Sequence, residues 1–154
     1  ESKESEGSPE VKARMRRLQM EASQRAAEQA QAINDVKEAT VVITNPTHFA
    51  VAVKYQPDEN EAPVIIAMGK DLLATKVIEQ AELHSISIVR SPLLARALFY
   101  TGGIGSAISE QLYSAVASIL AYVYQLERGV ESAIPEPEIP SDYIFDEFGK
   151  KIKD

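Results

Sequence analysis

At 154 residues, 45% of them hydrophobic, the chain is long enough to bury a core and short enough to expect one compact domain. A formal charge of -7 works against any partner held through phosphate, so nucleic acid is set aside. With no cysteine and two histidines there is no disulfide, no thiolate site, no cysteine nucleophile and little from which to build a metal centre, so neither a metal nor a cofactor is expected.

The opening ESKESEGSPE, residues 1–10, is polar and expected to be disordered; it carries neither an initiator methionine nor a signal-type apolar core, so the sequence reads as a piece of something longer. Residues 11–39 are rich in Ala, Arg, Gln and Glu and free of Pro and Gly, which predicts a long, weakly amphipathic helix acting as a linker. Its basic residues Lys12, Arg14, Arg16, Arg17 and Arg25 suit either a membrane surface or a solvated helix face. TVVIT and FAVAVKY then read as two strands flanking an Asn-Pro junction, QPDENE as a loop and PVIIAM as a third strand. After Gly69, the apolar residues Leu73, Ala74, Val77, Ile78 and Ala81 recur at helical spacing from Asp71 to His84, where a cation suits the helix dipole. SISIV is a fourth strand. Ser91 and Pro92 supply an N-cap and a first-turn proline for the helix PLLARALF, in which Arg96 has either an internal carboxylate or an external partner to reach.

TGGIGSAI follows a helix and has Ile108 where a dinucleotide fingerprint needs its third glycine, so it is read as a flexible loop. Ser109 caps a last helix whose Leu112, Val116, Ile119, Leu120 and Val123 form the clearest core stripe of the chain. From Gly129 the Pro-rich acidic segment 129–154 is expected to be a flexible tail. The order of elements predicts an α/β fold over residues 40–128, a small central sheet of about four strands surrounded by helices and preceded by the linker helix.

The chemistry concentrates at Asn45-Pro46-Thr47-His48. Deamidation of asparagine normally begins with attack by the next backbone nitrogen, but the Pro46 nitrogen has no hydrogen to give up. The other cyclisation stays open: the Asn45 side-chain nitrogen attacks its own backbone carbonyl, forms a succinimide and expels the Pro46 nitrogen, which cuts the chain. The residue before proline is held extended, and strain stored in a tight turn speeds such a step; about 4 kcal/mol is worth on the order of a thousandfold. Thr47 has a hydroxyl to hold the loop, and His48 a ring to shuttle a proton. On these residues alone a stable Asn-Pro turn with a structural histidine is the competing reading.

NPTH between two strands, with Ala62-Pro63 before the third strand and with the blocks PLLARALF and LYSAVASILAYVYQL downstream, closely resembles the cytoplasmic domain of the FlhB/YscU family, the export-switch proteins of flagellar and injectisome type III secretion. The resemblance runs from about Gly7 to Leu126, and its texture looks more like the flagellar branch. It implies a four-helix membrane domain upstream, a place at the cytoplasmic face of the bacterial inner membrane, and autocleavage between Asn45 and Pro46. It further implies partners among rod and hook subunits exported through the apparatus, the hook-length ruler protein and other export-gate components. Asn45 is then the cyclising residue, Pro46 the leaving nitrogen, and Thr47 and His48 set loop geometry and handle protons. The same resemblance makes Ala62, Pro63, Ala117 and Leu120 a shallow apolar pocket for export substrates, although Leu120 also belongs to the core stripe.

Two classes of function therefore compete. One is an interaction module that cuts itself once, a single event without turnover. The other is an ordinary α/β ligand-binding or enzymatic domain, for which the sequence offers no convergent polar site.

Overall fold

The computed structural model describes residues 7–46, 48–59 and 62–152. The chain divides into a first unit ending at Gln31 and a second beginning at Ala32. The first is helix α1 (Pro9–Asn34, running into the second unit), of which only Ala32 is buried. Ser8 stands before it, its hydroxyl accepting from the Val11 N–H at 3.5 Å. Met15, Leu18 and Met20 are exposed, as befits a helix formed by propensity rather than by an apolar stripe. Residues 1–6, where most of the expected disordered start falls, lie outside the described residues. Among the described residues no helix is long and apolar enough to cross a membrane.

The second unit holds the expected four-stranded sheet: β1 (Val41–Asn45), β2 (Phe49–Lys54), β3 (Val64–Lys70) and β4 (Ser87–Arg90), in the order β3-β2-β1-β4. β1 pairs antiparallel with β2 and parallel with β4, and β2 pairs antiparallel with β3. β1 and β2 are central and buried on both faces, which is why TVVIT and FAVAV read as nearly unbroken apolar runs. Successive side chains alternate between faces. Val41, Ile43, Phe49, Val51 and Val53 meet α3 (Pro92–Thr101) and α4 (Tyr113–Glu127) through Leu94, Leu98, Val116, Ile119 and Val123. Val42, Ala50, Ala52 and Ala67 meet α2 (Leu72–Leu83) through Ala74, Val77 and Ala81.

Alanine dominates the second interface, so α2 lies close on the sheet. Gly69 marks the closest approach: a β-carbon there would stand 2.6 Å from the Leu73 backbone carbon. That is too short for any side chain.

Three local expectations need correction. Ser91 occupies the N-cap position of α3, but its side chain makes no capping bond. Its N–H donates to the Thr44 carbonyl at 2.9 Å, so the residue extends the β1–β4 ladder. The glycine-rich segment is no free loop: Ser106 and Pro63 carbonyls accept from Ile65 and Ile108, and the Gly105 N–H donates to Ile65, which pins the segment along the outer edge of β3. Covering that edge removes a row of unpaired backbone groups.

The third concerns the tail. Residues 139–152, read from the sequence as part of a flexible tail, fold back onto α3. Ile139 and Tyr143 pack against the α3–α4 core, and Phe145 is buried. Arg96 Nε donates to the Phe145 carbonyl at 2.8 Å, while the Tyr100 hydroxyl and Lys70 Nζ both donate to the Glu147 carbonyl. Arg96 thus serves a backbone carbonyl rather than a carboxylate.

Candidate functional site

The β1–β2 connection is a turn closed by a hydrogen bond from the His48 N–H to the Asn45 carbonyl at 2.9 Å. Asn45 pairs with Phe49 across the ladder, so the turn is set by strands buried on both sides. Pro46 and His48 are exposed and Asn45 is half-buried. Thr47 lies outside the described residues, and with it the expected role of its hydroxyl.

A residue the sequence reading took only as a helix start meets this turn. Asp71 follows β3, whose Lys70 pairs with Phe49, so the ladder brings Asp71 opposite His48. The Asp71 N–H donates to the His48 carbonyl at 2.9 Å, and Asp71 Oδ1 lies 3.3 Å from His48 Nδ1. Nothing local announces a partner 23 residues away. Beneath the turn, Phe49 makes edge contacts with Phe99 at 5.1 Å and with Tyr100 at 5.6 Å, and these rings give the strand end a rigid floor.

The four residues expected to form a pocket come together. Ala62, Pro63, Ala117 and Leu120 line one groove of about 570 Å³, joined by Tyr55, Tyr113, Ala121 and Tyr124. Leu120 is only 4% exposed, so it forms the groove floor while remaining part of the core. Along α4, Tyr113, Ala117, Ala121 and Tyr124 share one face, two small residues between two large ones, and that profile makes the hollow. The tyrosines went unremarked in the sequence, although this stripe is the core stripe displaced by one position. Tyr124 has its phenol pushed above the usual 10.0, first by burial and then by neighbouring Tyr55, Glu127 and Asp58. Its phenol stays protonated, a neutral hydrogen-bond donor in the wall that it shares with Tyr55 and Tyr113.

β2 connects the two places. The turn lies at its start, and Tyr55 directly follows its end, where its N–H donates to Thr40 Oγ1 at 2.9 Å. Six residues of strand separate them by roughly 20 Å.

Residues 1–123 match the family model described as the FlhB HrpN YscU SpaS Family. A flagellar biosynthetic protein FlhB of Aquifex aeolicus is 48% identical over 123 residues, 80% of this chain and 34% of that protein. The protein of the same name from Salmonella typhimurium is 44% identical over 128 residues, 83% of this chain and 32% of its own length. The chain thus spans about a third of the length of these relatives. Among solved structures, the cytoplasmic domain of FlhB from Shewanella putrefaciens superposes with a TM-score of 0.70 at 39% identity, covering 76% of this chain and 95% of that one. A mutated EscU C-terminal domain superposes at 0.56 with 33% identity, covering 58% and 90%. With most of its length matched by the family model and its sheet and helices shared with solved members, the chain belongs to the FlhB HrpN YscU SpaS family.

Proposed function

We propose that this chain is the cytoplasmic part of a flagellar-type component of type III protein export, held at the bacterial inner membrane by a membrane domain upstream of α1, and that it cuts itself once between Asn45 and Pro46. The observation that carries the cleavage is the hydrogen bond from the His48 N–H to the Asn45 carbonyl at 2.9 Å. As Asn45 Nδ2 attacks the carbonyl carbon, that oxygen gathers negative charge, and a donor is already in place to stabilise it. The new bond joins Nδ2 to the carbonyl carbon; the bond from that carbon to the Pro46 nitrogen breaks. The proton lost by Nδ2 passes to the Pro46 nitrogen, with His48 as carrier and Thr47 holding the loop. A succinimide at Asn45 and a free Pro46 amine result.

The cut then acts as a switch of export substrates. The apolar groove at Ala62, Pro63, Ala117 and Leu120 is the docking place for rod and hook subunits, and the hook-length ruler and other export-gate components are the further partners. Cutting releases the joint between β1 and β2 at one end of the strand that carries Tyr55 at the other. The fold keeps its groove, while the surface around His48 is freed for a different set of contacts.

The test is a denaturing gel with intact-mass measurement on freshly purified chain. Wild-type protein gives two pieces, one ending at Asn45 and one beginning at Pro46, and Asn45→Ala gives a single band. Full-length wild-type chain persisting for days at neutral pH refutes the reading.

A further inference from the structure

We propose that Asp71 is a positioning residue for the self-cleavage, gripping His48 at both its backbone and its ring; this inference rests on the cleavage reading above. The grip has two points, the N–H bond to the His48 carbonyl at 2.9 Å and the Oδ1 to Nδ1 contact at 3.3 Å. His48 in turn donates its own N–H to the carbonyl under attack. Asp71 therefore acts on the reacting bond through one intermediary.

Two local features show Asp71 held against its own preferences. Its backbone sits at φ 54, ψ -113, the mirror-image extended region that glycine occupies without cost and that a residue with a β-carbon avoids. It also occupies the N-cap of α2, where an aspartate normally accepts from the first-turn N–H groups, yet its side chain makes no capping bond. The carboxylate has turned to His48 instead. The backbone stays in place because Thr75 N–H donates to the Asp71 carbonyl at 3.0 Å and because Gly69 lets the first turn of α2 seat on β3. Glycine at position 71 would relieve the strain and asparagine would tolerate it; neither carries the charge that faces the ring.

A carboxylate accepting from Nδ1–H leaves Nε2 as the open acceptor and stops the ring from turning over. Nε2 takes the proton from Asn45 Nδ2 and returns it to the Pro46 nitrogen. The proton on Nδ1 stays with the ring, and Asp71 keeps its charge throughout, balancing the imidazolium that forms in passing. The pair is half-exposed, with side-chain exposures of 50% and 65%, so water screens its attraction and its contribution is geometry rather than binding strength.

The experiment compares wild type, Asp71→Gly and Asp71→Asn, each made by cell-free synthesis and followed by quenched denaturing gels. Melting curves are recorded for each. Ring nitrogen-15 spectra are taken in the Asn45→Ala background, with Asp71 as wild type and with each Asp71 variant, so that every chain stays whole. Asp71→Gly is expected to slow cleavage about tenfold or more while its melting temperature holds or rises. Asp71→Asn, which still accepts a hydrogen bond, slows it less. The wild-type ring holds its neutral proton on Nδ1, and Asp71→Gly moves that proton to Nε2. Wild-type cleavage rates in Asp71→Gly, or slower cleavage with an unchanged tautomer, overturn the inference and leave the cleavage reading standing. A wild-type chain that stays whole overturns the cleavage reading and the inference with it.

Discussion

Because the Asn45 carbonyl closes the turn through the backbone, Asn45→Ala removes the nucleophile and leaves the hydrogen bond from His48 intact. The single band expected of that variant therefore reports chemistry and not unfolding. A second carboxylate illustrates how the same kind of bond governs stability. Asp146 Oδ1 accepts from the N–H groups of Lys150 and Phe148 at 2.9 Å each. The bond from Lys150 is the main reason its carboxyl lies below the ordinary 3.8; desolvation, the next largest effect, works the other way, and the Phe148 bond and the Lys150 and Arg96 charges add to the lowering. A depressed carboxyl stabilises the fold above its unfolded value, and that contribution is lost as pH falls through the lowered folded one. Amide-exchange protection at Phe148 and Lys150 is therefore expected to hold from neutral pH down to the ordinary carboxylate range and to fall only below it. Protection that fades between about pH 7 and about pH 5 would contradict this.

At the scale of elements, β1 is the piece that a cut at Asn45 would detach. It is hydrogen-bonded on both sides, to β2 and to β4, and Val41, Val42 and Ile43 are fully buried. Each such side chain stabilises its place by about 1.5–3 kcal/mol, so three of them, with their ladder bonds, outweigh the loss of one peptide link. The two pieces are expected to travel as one species on native size exclusion and to separate only in denaturant. Independent elution of the pieces under native conditions would show that the sheet does not hold them. The C-terminal segment 139–152 docks through carbonyl contacts as well as apolar packing. Its backbone carbonyls at Phe145 and Glu147 receive Arg96, Tyr100 and Lys70, and Gly149 at φ +82 lies where a β-carbon would stand 2.7 Å from the Tyr100 ring. These carbonyl contacts add to the packing of Ile139, Tyr143 and Phe145, so a segment with few apolar residues can dock there.

For the molecule as a whole, the Asn45-Pro46 turn and the groove stand at opposite ends of β2, so the proposed function keeps its chemistry apart from its docking. Pro63 is half-buried at the lip of the groove, and its carbonyl accepts from Ile108 through the backbone alone. Pro63→Asp keeps that bond and places a charge on an apolar surface. Binding of rod and hook subunits is expected to fall by about tenfold or more with a melting temperature within a few degrees of wild type, since a charge at a fully buried position would instead unfold the domain. Calorimetry and binding on the same preparation decide it. Unchanged binding, or a large loss of stability, returns Pro63 to a structural role.

The strands, the helices and the Asn-Pro turn were legible in the sequence because each depends on short-range order. Alternation in FAVAV, the 3.6-residue recurrence from Leu112 to Val123, and the missing hydrogen on the Pro46 nitrogen are all contained within a few neighbouring residues. The groove residues Ala62, Pro63, Ala117 and Leu120 came from resemblance, and their convergence on one hollow is a property of the fold. What escaped the sequence depends on distant segments. Asp71 reaches His48 only because β3 runs antiparallel beside β2 in one register, and a shift of one residue would turn it away. The tail reads as solvated because its composition is acidic and Pro-rich, yet its backbone carbonyls meet Arg96, Tyr100 and Lys70 once α3 and β3 are assembled. Composition averages away Ile139, Tyr143 and Phe145, three apolar side chains spaced among acids and prolines, and only the tertiary structure decides which core those side chains meet and which donors the backbone finds.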